Sequence, residues 1–146
     1  MKYTTSKLTL YVTRVITGLV LLLLPLLPFL LNWYRKFRTL SEAEYWAIMI
    51  AFYCCAVVIF VALGNLRRIL KNILNQQVFT PDNVRCIRAV QRCCGLVSLI
   101  CIPAAVCYLP LIFMVLIMAF LSLVVGVVAQ VTDAAVSLRE ENDLTI

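Results

Sequence analysis

The sequence has no histidine and only seven acids in 146 residues. No acid lies between Glu44 and Asp82, and none between Asp82 and Asp133. Acid–base catalysis and metal-assisted chemistry need imidazoles, carboxylates or thiolates gathered in a cavity. The usual catalytic sets are therefore missing, and neither an enzymatic activity nor a cofactor or metal site is expected. An ion or proton path is disfavoured for the same reason, since it calls for ionisable groups within spans. Asp133 is the deepest acid. It reads as a solvated carboxylate at a helix end, paired with an arginine of the basic segment described below. Cysteine is not scarce, but its number is odd, seven, and most lie in apolar runs. That is a poor match to the disulfide framework of a small secreted domain. Cys54-Cys55 and Cys93-Cys94 differ in expected depth by roughly 10–15 Å, too far for one four-thiolate site. Cys101 lies nearer the depth of Cys54-Cys55. A thiol pair or redox contact there stands beside the plainer reading, in which cysteine is a small apolar residue that lets helices approach.

Charge as a whole is also sparse: 14% of residues are charged and 64% are hydrophobic. A soluble domain is roughly half apolar and a quarter charged. The apolar excess lies in charge-free runs over 15–31, 47–65 and 93–132. A membrane-crossing helix needs about 20 mostly apolar residues. The first two runs fit one span each. The third is about twice as long and contains Tyr108-Leu109-Pro110, so it reads as two spans and a tight turn. The expected fold class is an all-α membrane protein with four transmembrane helices in a single bundle, spanning about 12–32, 44–65, 90–108 and 110–132.

Basic residues in short loops stay on the cytoplasmic side. With the N-terminus inside, Lys2, Lys7, Arg14, Arg67, Arg68, Lys71, Arg85, Arg88, Arg92 and Arg139 are inside, and only Arg35, Lys36 and Arg38 are outside. Both termini are thus expected in the cytoplasm. The start of the chain resembles the n-region of a signal peptide, but no small-x-small site follows Leu21–Leu24, so it reads as an uncleaved first helix. Pro25 and Pro28 should bend its outer half. Trp33, Tyr34, Tyr45 and Trp46 suit an aromatic belt. Ser41 with Glu44 three residues on is a capping-box pattern that starts the second helix near Glu42.

Between the apolar runs stands one long polar stretch, Asn65 to Arg92. Leu66, Ile69, Leu70, Ile73 and Leu74 recur at helical spacing, with Arg67, Arg68, Lys71, Asn72 and Asn75 opposite. The second helix should therefore project roughly 16 Å past the hydrocarbon. Gln76 to Phe79 makes a turn. Thr80-Pro81-Asp82 then predicts a new helix, with a hydroxyl at the N-cap, proline in the first turn and an acid near the positive end of the dipole. Val84, Ile87 and Val90 form its apolar stripe, which can pack on the first and leave Phe79 at the tip. Span 4 should begin at Pro110 and run on through 132–139 into a tail over 133–146.

This basic hairpin has three readings. In the first, Arg67, Arg68, Lys71, Arg88 and Arg92 face anionic lipid, at about 1 kcal/mol per residue. In the second, Glu140, Glu141 and Asp143 meet the arginines while Leu144 and Ile146 hook onto the apolar stripe. In the third, the hairpin docks a cytosolic partner. Direct nucleic-acid binding is not expected, because the cations are few and no base-reading motif accompanies them.

Val78-Phe79-Thr80-Pro81-Asp82-Asn83-Val84-Arg85, taken with the terminal Leu138-Arg139-Glu140-Glu141-Asn142-Asp143-Leu144-Thr145-Ile146, resembles the bacterial membrane family catalogued as domain of unknown function 2975. The likeness covers essentially the whole chain, and the tail is its specific part. It departs at Gln76-Gln77-Val78 and in the number of cysteines. The resemblance implies four spans, no established enzymatic activity and membership of a group often encoded beside a small helix-turn-helix regulator. The residues it puts forward for partner binding are Phe79, Thr80, Pro81, Asn83 and Arg85 in the turn, with Glu141, Asn142, Asp143, Leu144, Thr145 and Ile146 in the tail. The expected function is a non-enzymatic regulatory protein of the bacterial cytoplasmic membrane that binds or restrains a cytoplasmic transcription regulator. The alternative is a small transporter or a pore-forming subunit that oligomerises around a path.

Overall fold

Residues 2–37, 39, 41–75, 77 and 79–144 are described by the computed structural model, with side chains for all of these except 2–7 and 143. They form four helices, α1 (Lys2–Arg35), α2 (Glu42–Leu74), α3 (Pro81–Cys107) and α4 (Leu111–Leu144). There is no strand among the described residues. All four helices are long and apolar enough to cross a membrane. At about 1.5 Å per residue they reach about 40–50 Å, against about 30 Å of hydrocarbon. The surplus gathers where α2, α3 and α4 run on beyond their apolar windows, at what is called here the hairpin end. The short α1–α2 and α3–α4 connections form the opposite, loop end.

Local chemistry sets the boundaries at the loop end. The Ser41 hydroxyl accepts from the Glu44 amide at 3.3 Å, and the Glu44 carboxylate accepts from the Ser41 amide at 2.9 Å. This is the expected capping box, and α2 begins at Glu42. Arg35 pairs with Glu42 and lies over the Tyr45 ring, 5.6 Å from its centroid. The Tyr34 and Tyr108 hydroxyls meet at 3.0 Å, tying α1 to the end of α3. Pro110 precedes α4 rather than opening it. The amides of Leu111 and Ile112 bond the carbonyls of Tyr108 and Leu109 at 3.0 Å, closing a tight turn through the proline.

Helix α1 runs unbroken through Pro25 and Pro28. Pro28 has no N–H to offer the carbonyl of Leu24. That carbonyl instead accepts from the Tyr53 hydroxyl of α2 at 3.3 Å. In lipid, where water cannot take over, freed backbone groups must find such partners. Tyr53→Phe should therefore lower stability by about 0.6 kcal/mol, the average for interhelical bonds in membranes, as read from thermal unfolding in bilayer discs.

Packing follows chain order: α1 lies on α2, α2 on α3 and α3 on α4. Helices α1 and α4 make no Cα approach within 8 Å among the described residues, so the bundle is open on that side. Burial does not track hydropathy. The least apolar span, α3, is the most enclosed, while the most apolar, α4, buries little and α1 least of all. In a bilayer this is the expected arrangement: lipid is as apolar as leucine, and helices associate through small and polar residues. The α3–α4 seam has these features. Ser98 donates to the Val115 carbonyl and Ser122 to the Gln91 carbonyl, each at 3.1 Å. Gly126 of α4 leaves room for the Gln91 side chain of α3, and α3 also buries Val97, Ala104 and Ala105.

Candidate functional site at the hairpin end

The apolar stripes of α2 and α3 meet as their spacing predicts, with Leu70 and Val84 buried between them. Asn83 is the most enclosed large side chain of the described protein, at 2% exposure. Its amide nitrogen donates to the Gln77 carbonyl at 2.8 Å, and its oxygen accepts from the Asn72 amide at 2.7 Å. One side chain thus holds the end of α2, the turn and the start of α3 together. Gln77 is held further by its amide bonding the Asn72 carbonyl at 2.9 Å. Asn83 therefore supports the turn from beneath and does not present itself to a partner.

Thr80 occupies the N-cap position of α3 with extended backbone, and Pro81 follows in the first turn. Its hydroxyl does not cap the helix, which corrects the expectation from sequence. The Asn83 amide, a natural target for that hydroxyl, already bonds the Thr80 carbonyl at 3.0 Å. The Thr80 Oγ1 is buried without a hydrogen-bond partner among the described residues. Phe79 stands half-exposed at the tip.

Beside this turn lies a cavity of about 350 Å³, lined by Gln77, Phe79, Thr80 and Pro81 from one side and by Val136, Arg139 and Glu140 of α4 from the other. The two segments that stand out in the sequence therefore face one space. An ion pair between Arg88 and Asp133 at 2.6 Å holds α4 against the hairpin. Arg88, expected to face lipid, is engaged within the protein, and Asp133 has the arginine partner anticipated for it. Both side chains are about half exposed, so the pair contributes about 0–1 kcal/mol and weakens with salt. Asp133→Asn should lower the unfolding midpoint only slightly, and less at high ionic strength.

The other cations stay at the surface. Arg85 is exposed and sits 3.8 Å from Asp82; Arg68, Lys71 and Arg92 are exposed, and Arg67 is half-buried. Glu141 and Asn142 are exposed on α4. Leu144 does not hook onto the hairpin: α4 remains helical to that residue and leaves it 88% exposed. Gln76, Val78, Thr145, Ile146 and the side chain of Asp143 lie outside the described residues. No group of three or more metal-ligating side chains occurs among the described residues.

Sequence reasoning missed the Asn72–Asn83 pair. A signal for Asn83 existed, since it lies one turn before Ile87 on the apolar stripe. None existed for Asn72, which sits among surface residues. The thiol contact weighed from depth in the sequence is present as well: the sulfurs of Cys55 and Cys101 lie 3.7 Å apart.

Fold and site together define a multi-pass helical membrane protein with a polar helical extension at one end. The sequence profile of a family described as Protein of unknown function (DUF2975) matches residues 16–146, and the chain belongs to that family. No curated protein and no solved structure matches the chain.

Proposed function

We propose that this is a non-enzymatic regulatory protein of the bacterial cytoplasmic membrane, oriented with its hairpin end in the cytoplasm, where it holds a helix-turn-helix transcription regulator. The observation that carries this reading is the shared cavity between the turn residues Phe79, Thr80 and Pro81 and the α4 residues Val136, Arg139 and Glu140. A half-exposed aromatic ring at its mouth is the kind of anchor that dominates binding energy at protein interfaces. The excess of basic residues at this end supports the cytoplasmic orientation.

The test uses the full chain in bilayer discs and a purified small helix-turn-helix regulator of the kind the family resemblance implies. Phe79→Ala and Glu140→Lys should each weaken binding about tenfold or more, a loss of at least about 1.4 kcal/mol. Arg92→Gln, away from the cavity, should leave affinity unchanged. Equal affinity of all four proteins would remove the cavity from the interface.

A further inference from the structure

The open side of the bundle forms a second space, a cleft of about 580 Å³ between α1 and α4 with α2 and α3 at its floor. Its walls are apolar, with Leu24 and Leu27 on one side and Met114 and Met118 on the other. Cys55 and Cys101 both line it. Their sulfurs stand 3.7 Å apart although 46 residues separate them in sequence. Both are free thiols. With Val97 they form a buried cluster where α2 meets α3. A disulfide needs sulfurs at about 2.05 Å, so closing the bond calls for a local approach of less than 2 Å by the two sulfurs, without any exchange of helix neighbours.

Two features narrow the oxidant. The thiols lie within apolar spans, where charged oxidants such as oxidised glutathione meet a heavy desolvation cost. The cleft lies between two helices that make no Cα approach within 8 Å and has both cysteines in its lining, which gives an uncharged, chain-bearing molecule a route from the lipid to the sulfurs. A quinone fits these demands, because it is lipid-soluble and accepts two electrons with two protons.

We infer that Cys55 and Cys101 are a redox pair, converted to a disulfide by a lipid-soluble quinone that enters the α1–α4 cleft. In the balanced step both S–H bonds break and one S–S bond forms. The two electrons and two protons pass to the quinone oxygens, giving one hydroquinone per disulfide. The product joins α2 to α3, the two helices that extend into the hairpin. The inference is independent of the partner proposed for that end.

The test uses the reduced full chain in bilayer discs, with a decyl-substituted benzoquinone as the probe and oxygen excluded. The expected result is one hydroquinone per chain and a Cys55–Cys101 linked peptide lighter by two hydrogens. Cys54→Ser, on the neighbouring exposed thiol, should change neither readout. Cys55→Ser, Cys101→Ser and Cys101→Ala should abolish both. Oxidised glutathione should leave the pair reduced over the same interval. Absence of hydroquinone with the unaltered chain would overturn the inference. So would a disulfide mapping to another pair, or hydroquinone formation that survives Cys55→Ser. The unaltered chain decides the question even where a variant folds poorly.

Discussion

Asn83→Ala is expected to loosen the hairpin by about 2–3 kcal/mol, because it strands the Gln77 carbonyl and the Asn72 amide that the buried side chain now serves. Both bonds are short, at 2.8 and 2.7 Å, and Asn83 itself is out of reach of water. Removing one partner of a buried polar group costs more than the net worth of the bond, since the other partner loses solvation and gains nothing. At about 1.4 kcal/mol per factor of ten, the opening equilibrium of the turn should rise about 30- to 140-fold. Limited trypsin digestion in bilayer discs reads this directly, through cleavage after Lys71 and Arg85 on either side of the turn. Asn83→Asp keeps an acceptor for Asn72 but turns an oxygen toward the Gln77 carbonyl, so it should open the turn as readily as alanine does. A cleavage rate within twofold of the unaltered protein would show that Asn83 is not the tie between α2 and α3.

Gly126→Leu should have the second large effect, acting on the α3–α4 seam instead of the hairpin. A Cβ placed at residue 126 would sit 2.6 Å from the Gln91 amide nitrogen and 3.1 Å from its carbon. Alanine is tolerable, because the end of the Gln91 side chain can swing aside. Leucine adds further atoms against the α3 side chain that already crowds residue 126, and overpacking of this kind costs about 1–3 kcal/mol. The unfolding midpoint should fall accordingly. Val127→Leu, at a neighbouring exposed position, should leave it unchanged, because its side chain meets lipid on either side of the substitution. Equal midpoints for the two variants would mean that α4 rests on α3 without using residue 126.

The same contrast shows how far the sequence reaches. Four helices were legible because hydrocarbon thickness fixes how long an apolar run must be. The start of α2 was legible because a capping box is a local pattern, written in Ser41 and Glu44 alone. The N-cap position of Thr80 was equally readable, but not the fate of its hydroxyl. That depended on whether the Asn83 amide was already taken by a carbonyl. The hook drawn from Leu144 to the hairpin failed for a related reason. Apolar character at a chain end says nothing about whether the helix before it keeps going, and here α4 does.

By itself, then, the sequence determined the number of apolar helices, the start of the second and the amphipathic hairpin between the second and third. Each of these follows from hydropathy and periodicity over neighbouring residues. Only the tertiary structure decided which helices touch, that α1 and α4 stay apart, and that the turn at Phe79–Pro81 shares a cavity with Val136–Glu140. It also set Cys55 against Cys101 and Asn72 against Asn83. The physical reason is that lipid leaves no hydrophobic drive to sort apolar faces. Helix pairing is settled instead by small residues, buried amides and hydroxyls, whose partners lie far along the chain and leave no periodic trace in it.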